Sequence, residues 1–464
     1  MSVPAPPSRR GVWLVLPDPL STRIFFDCGI VELLRGRVGE RLRAVTLLSP
    51  EQMEEWRDRL GDVPVSFREE LLPWRLGPVE TVRRRLDLWL DRQIGFYPLA
   101  IRLNLRHGFH LERMRPGHPN LALDLARVGP LPRHPAVDAW MLRWHYGRRR
   151  WVSSRLLARL RSECDALVFS NLQTQPVVPF LLAARRLSLP TVGYVASWDH
   201  TVGKGVITPH VDRYVVQNEA MRDDLQRYHG IGPERVVVTG WPQTDVFHRP
   251  RPRADYEALL RAYGLDPGRP LVLVMGNTPT NAPHEGRFVE RLVGWWESTG
   301  RERRFSLLFR PHPRDRDWEA RFAAARDRPS AHVQAPSYTD LELLATLLQH
   351  GDCVVANAGT ILLDALVNDR PAVCVLYDEG APEGESWAAK NVLGEHYRRL
   401  AESDAFYRAR RFEEVVDGIE RALARPSELA EERRRAARGV VGEVDGRAAE
   451  RVVDAIVGVV GGGE

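Results

Sequence analysis

The chain has 464 residues, 44% hydrophobic and 27% charged, and carries a formal net charge of +5. That is the composition of a globular protein with room for two or three domains. No apolar run approaches the roughly 20 residues of a membrane-spanning helix, Met1–Arg10 lacks a signal-peptide apolar core, and the four cysteines (Cys28, Cys164, Cys353, Cys374) lie far apart. Buried thiols and a cytoplasmic location are therefore expected.

Only two of the 66 basic residues are lysines, Lys204 and Lys390. GC-rich coding accounts for most of the arginines. The two retained lysines stand out, because a guanidinium and an ammonium are not equivalent at a precise site.

In chain order, Gly11–Leu16 reads as a first strand, Phe25–Leu34 as a helix and Leu42–Leu48 as a second strand. The connection Pro17-Asp18-Pro19-Leu20-Ser21-Thr22-Arg23 is no Gly-rich dinucleotide fingerprint, which argues against a classical NAD domain. Residues Pro78–Arg106 and Ala136–Glu163 are Arg-rich and helical in pattern. The second of these carries Trp140, Trp144, Tyr146 and Trp151 among arginines. A basic helix with tryptophans can lie on an anionic membrane surface, giving a peripheral membrane contact. A domain helix that buries its aromatics is the simpler reading.

Strands are expected at Ala166–Ser170, Thr191–Val195, Asp212–Val216 and Arg235–Thr239, with helices at Pro176–Leu187 and Glu219–Tyr228. The loop Ser197–Gly205 leaves the carboxyl end of one strand and holds Asp199, His200 and Lys204 between glycines. Loops in that position commonly carry chemistry. The Pro/Arg run His248–Arg253 reads as a linker. It divides the chain into residues 1–248 and 249–464.

The second half repeats the alternation. Strands are expected at Leu271–Met275, Phe305–Phe309, His332–Gln334, Cys353–Ala356 and Ala372–Leu376, with helices at Arg287–Trp296, Asp340–Gln349 and Ile361–Leu366. Two doubly wound α/β domains result, followed by a helical tail from Phe412 to Val460. Neither internal repeats nor low-complexity tracts interrupt them. In the strand–turn–helix at Asn357-Ala358-Gly359-Thr360, Gly359 admits close approach of a ligand to the backbone and Thr360 is expected to cap the helix. Free N–H groups at such a helix end favour an anion, typically phosphate. Arg310, His312 and Arg314 leave another parallel strand on the same carboxyl edge, where open α/β sheets bind ligands.

These residues carry a resemblance. Two Rossmann-like halves, the exit Gly240-Trp241-Pro242-Gln243-Thr244-Asp245-Val246-Phe247, the Arg310-Pro311-His312-Pro313 segment and the small-residue turn resemble a GT-B transferase. The branch it is most similar to is that of CDP-glycerol glycerophosphotransferases and related bacterial cell-surface polysaccharide glycosyltransferases. Residues Asp352–Asp378 and the terminal Asp445-Gly446-Arg447-Ala448-Ala449-Glu450-Arg451 resemble that branch over roughly residues 190–460. The resemblance implies two domains facing a central cleft. It implies transfer from a nucleotide-sugar or CDP-glycerol donor, which is a substrate and not a cofactor, to a glycan or lipid-linked acceptor. The family carries two hydroxyl residues where this chain has Ala358-Gly359-Thr360, which turns the expectation toward a sugar donor.

In such a cleft, the growing charge of the leaving nucleotide needs fixed dipoles and cations. Arg310, His312, Arg314 and the helix start at Gly359-Thr360 are the expected donors. Asn357, Gly276 and Asn277 join the nucleotide-binding set, and Asp364 is expected near the ribose. No clustered Asp-Xaa-Asp motif is present, so catalysis without a metal is expected. Asp199 is the first candidate general base and His200 the second, with Lys204 holding an acceptor phosphate or carboxylate. Two other classes stay open: an isomerase like the nonhydrolysing UDP-N-acetylglucosamine 2-epimerases, and a non-enzymatic nucleic-acid binder. Arginines spread through the chain, with no nucleic-acid motif, speak against the latter.

Overall fold

The structure, a computed structural model, describes residues 10–54, 56–71, 77–107, 134–147, 150–203, 205–279, 281–338, 340–357, 359–382, 397, 400 and 403–460. Short apolar, β-branched runs covered by helices form all-parallel sheets, buried on both faces. Strands β1 (Gly11–Leu16), β2 (Leu42–Thr46), β3 (Val65–Phe67), β4 (Cys164–Phe169), β5 (Thr191–Tyr194), β6 (Arg213–Val216) and β7 (Val236–Val238) order as 3-2-1-4-5-6-7. Strands β8 (Leu271–Met275), β9 (Ser306–Arg310), β10 (Ala331–Val333), β11 (Cys353–Asn357), β12 (Ala372–Val375) and β13 (Tyr407–Ala409) order as 10-9-8-11-12-13. In both sheets the winding reverses beside the first strand, between β1 and β4 and between β8 and β11.

The described residues divide into two compact units. Residues up to Gln243 form the first together with the stretch from Arg447 onward, and Thr244–Gly446 form the second. The second is built around Trp296, Phe309, Phe322, Val355 and Val415, all at most 1% exposed. Residues 249–252 are no loose linker. Gln349 on helix Leu341–His350 donates to the carbonyls of Phe247 (2.7 Å) and Arg249 (2.8 Å) and accepts from the Arg251 N–H (2.8 Å).

Several expected elements are redrawn. The helix expected over Phe25–Leu34 is two helices, Pro19–Asp27 and Ile30–Val38. Asp18 caps the first, and the left-handed Gly29 (φ 78°) turns the chain into the second. The long Arg-rich segments are likewise split, into Pro78–Ile94 and Phe96–His107, and into Pro135–His145 and Ser154–Glu163. In the second pair the aromatics largely turn inward: Tyr146 is buried and Trp144 stacks under Arg150, while Trp140 stays 46% exposed.

The tail forms helices Phe412–Ala424, Ala430–Val441 and Ala448–Val460. Gly446 makes the turn before the last (φ 74°), and a Cβ there would meet the His248 ring at 2.6 Å. That last helix buries Val452, Val453 and Ile456 against helix Ile30–Val38 and strands β4, β5 and β6. Arg451 donates to the Thr239 carbonyl at 2.7 Å.

Placing an unpaired carboxylate among these side chains costs desolvation with no compensating partner. Val452→Asp is expected to destabilise the first unit by about 3 kcal/mol or more, read from its denaturant midpoint. An unchanged midpoint would show that the helix contributes nothing to that core.

Candidate functional site

The second sheet gathers most of the candidate nucleotide-binding residues at its carboxyl edge. Gly276 and Asn277 follow β8, Arg310 ends β9 with His312 just beyond, and Asn357 ends β11. The switch point lies between the first and last of these, where ligands of open α/β sheets bind. Gly276 is there for packing: a Cβ would stand 3.1 Å from the Pro311 Cα and 2.9 Å from the Phe322 ring. Gly359 differs. Its backbone is extended (φ −173°), and an added Cβ would find nothing nearer than the Asn357 carbonyl at 3.8 Å.

Thr360 is the first helical residue and not the cap; Gly359 occupies the cap position, with no side-chain cap hydrogen bond. Ala358 lies outside the described residues.

His312 accepts the Arg314 N–H at Nδ1 (3.0 Å), so its neutral ring carries the proton on Nε2. Arg314 is exposed. Arg310 is committed elsewhere: it pairs with Asp340 at 2.7 Å and donates to Gln334. Asp364 is 3% exposed, within the unit.

A network that the sequence reading missed holds these loops. Arg321 donates to the carbonyls of Asn277 (3.1 Å) and Ala282 (2.7 Å), to Glu285 (2.8 Å) and to Asp315. Glu285 in turn accepts the Asn277 N–H at 2.9 Å. Burial pushes the Glu285 carboxyl up to about 8; Arg321 and the Asn277 N–H pull it down, and Asp315 and Asp378 add to the rise. Two acids converging on one guanidinium cannot both be fully neutralised. Beside them opens a small pocket lined by Met275, Asn357, His284, Glu285, Tyr377 and Asp378.

In the first unit, Asp199 and His200 follow β5. Asp199 is half-buried and accepts the Ser197 hydroxyl at 2.5 Å, whereas His200 is 7% exposed. Lys204 lies outside the described residues. Gln173 ties the loop at both ends, donating to the carbonyls of His200 (2.6 Å) and Gly205 (3.1 Å). Gly205 needs its lack of a side chain, at φ 121°. Below, neutral His229, held near 4 by burial, accepts the Ile207 N–H and donates to the Thr201 carbonyl.

At this sheet's own switch point, Asp18 accepts from Ser21 (3.0 Å) and Asn171 (2.9 Å), and Ser170 donates to Ser21 (2.9 Å). The Asp18-Pro19 pair before a helix is a cap signature that would have located this end of the network.

The two parallel sheets are those of GT-B enzymes. UDP-GlcNAc 2-epimerase from Methanocaldococcus jannaschii aligns at 12% identity with a TM-score of 0.54, over 96% of this chain and 99% of that one. The Neisseria meningitidis enzyme, bound to UDP-GlcNAc, aligns at 10% and 0.54 over 97% and 100%. The wall teichoic acid polymerase TagF aligns at 11% and 0.52 over 98% and 89%. Likeness at this level is one of fold. No curated protein matches the sequence significantly. The CDP-glycerol:poly(glycerophosphate) glycerophosphotransferase family matches residues 206–458, more than half of the chain, and the chain belongs to it. It is a transferase of nucleotide-activated groups.

A carboxyl raised in the folded state keeps a proton that the unfolded chain releases. Stability is therefore lost as pH rises from the ordinary 4.5 through about 8. Glu285→Gln has no such titration, so its stability relative to wild type is expected to grow across that interval in urea melts. A pH-independent difference would place the charge on Glu285 throughout.

Proposed function

We propose that this enzyme moves a sugar from a nucleotide-activated donor to a hydroxyl of a cell-surface glycan or lipid-linked acceptor, at the cytoplasmic face of the membrane. The observation that carries the donor assignment is the placing of the helix start at Gly359-Thr360 on the switch-point edge, with His312 on the same edge. Both offer N–H groups to a diphosphate. As the bond to the transferred group breaks, negative charge grows on the departing nucleotide, and these donors stabilise it without reorganising. Exposed Arg314 adds charge. Arg310 is left a structural role, because Asp340 already neutralises it.

Asp199 is the proposed base. It is more accessible than His200, and it takes the proton as the acceptor oxygen attacks. Lys204 is assigned to an acceptor phosphate or carboxylate. The reaction is proposed to need no metal, so turnover should survive chelation.

A second reading, transfer of glycerol phosphate from CDP-glycerol, is favoured by the family itself. The single hydroxyl in Ala358-Gly359-Thr360 favours the sugar. Incubation with each donor and a polyol-phosphate or glycan acceptor separates the two. Epimerisation of UDP-N-acetylglucosamine without any acceptor would overturn both.

Gly359→Ala separates ligand from fold. Its extended backbone, and an added Cβ no nearer than 3.8 Å to any described atom, predict an unchanged melting midpoint. Nucleotide-induced stabilisation, about 2.7 kcal/mol at a hundredfold excess over Kd, should drop in this variant and in His312→Ala. Full nucleotide binding in both variants would remove the donor site from the second unit. Asp199→Asn should lower turnover by roughly a hundredfold with donor binding intact. Near-normal turnover would leave Asp199 a turn-capping residue.

A further inference from the structure

One run of hydrogen bonds joins three of the connections that leave the carboxyl edge of the first sheet. Asp18, after β1, accepts the Ser21 N–H at 3.0 Å and the Asn171 amide at 2.9 Å. Asn171, after β4, accepts the Gln173 backbone N–H at 2.9 Å. Gln173 then reaches the loop after β5, where its side-chain amide donates to the His200 carbonyl at 2.6 Å and to the Gly205 carbonyl at 3.1 Å. Asn171 and Gln173 are both buried.

Packing sets the course of this run. Phe169 at the end of β4 pairs with Gly193 of β5, and buried Leu172 lies on that glycine. A Cβ at Gly193 would stand 2.2 Å from the Leu172 Cδ1. The connection after β4 is thereby seated on β5, which brings Gln173 to the loop that β5 delivers. Helix Glu219–His229 holds the same loop: Asp224 accepts the Thr201 hydroxyl at 2.9 Å, and His229 donates to the Thr201 carbonyl at 2.7 Å.

A carboxamide suits the place that Gln173 occupies. Its single nitrogen carries two N–H groups, and both are spent on carbonyls five positions apart. One of those carbonyls belongs to His200, next to Asp199. The other belongs to Gly205, whose φ of 121° other residues rarely adopt. We propose that Gln173 is a positioning residue of the transfer reaction. It holds the turn bearing Asp199 and His200 in the geometry that proton removal from the acceptor requires, and it contacts neither substrate. This role rests on the reading that the loop takes the acceptor proton. Such support matters, because a displacement of about 1 Å can cost on the order of a hundredfold in rate.

Gln173→Leu keeps the approximate size of the side chain and removes both N–H groups. Turnover is followed as nucleotide release from CDP-glycerol and from UDP-N-acetylglucosamine, with poly(glycerophosphate) as acceptor. The kcat is expected to fall about tenfold to a hundredfold, with donor KM and the thermal shift given by CDP or UDP unchanged. Amide hydrogen exchange over residues 198–203 should quicken by at least about tenfold. Leu160→Ala, a cavity on helix Ser154–Glu163 of the same unit, is the control for lost stability: its melting midpoint falls and its kcat does not. Gln173→Asn, too short to reach both carbonyls, carries the same expectations should the leucine variant not fold. Added to Asp199→Asn or to His200→Gln, whichever is slow, Gln173→Leu should cost nothing further. A normal kcat in Gln173→Leu beside a slow Asp199→Asn would overturn the positioning role and leave the base assignment standing. A normal Asp199→Asn beside slow His200→Gln and Gln173→Leu variants would retire Asp199 as the base and support the positioning role. Losses that multiply in full, or loop exchange equal to that of wild type, would overturn it.

Discussion

Each sheet reverses its winding beside its first strand, and this reversal decides where chemistry can sit. The connections after neighbouring strands leave toward opposite faces, so their loops part and open a gap at the carboxyl edge. The second sheet places Gly276, Asn277 and Asn357 around that gap, and the first places Asp18, Ser170 and Asn171. Polar groups brought to such a place must be held and satisfied. In the first unit short hydroxyl and amide side chains do this among themselves. In the second, one guanidinium draws three segments together.

The parallel strands were legible because strands covered on both faces are unbroken apolar runs. Leu271–Met275 reads to the residue. β3 and β13 escaped notice because they are three-residue strands at sheet edges, one half-buried and the other interrupted by Arg408. Candidate residues sitting directly at strand ends, such as His312 and Gly359, were visible for the same reason the strands were. What separates His312 from Arg310 was not visible, since it depends on Asp340, thirty residues further on. The same holds for Glu285, whose partner Arg321 lies 36 positions away. Gln173 likewise acts on a loop 27 and 32 residues downstream. Contacts of this kind leave no period or local motif.

The arginine-rich composition also reads differently in three dimensions. Coding bias explains solvated arginines, yet several are structural hubs. Arg321 serves two carbonyls and two carboxylates, and Arg150 serves Asp87 together with the His145 carbonyl. A guanidinium has five donors in a fixed fork, and an ammonium could not span these acceptors.

The return of the last helix to the first unit has a consequence for how the chain is made. Strands β4 to β6 leave the ribosome early, but the helix that covers one of their faces starts only at Ala448. The whole second unit, Thr244–Gly446, is synthesised in between. At about 5–20 residues per second, that interval lasts on the order of ten to forty seconds. During it the nascent first unit carries an apolar surface with nothing on it, which makes it a natural client for a chaperone. A message cut short within the second unit would yield a first unit that never closes.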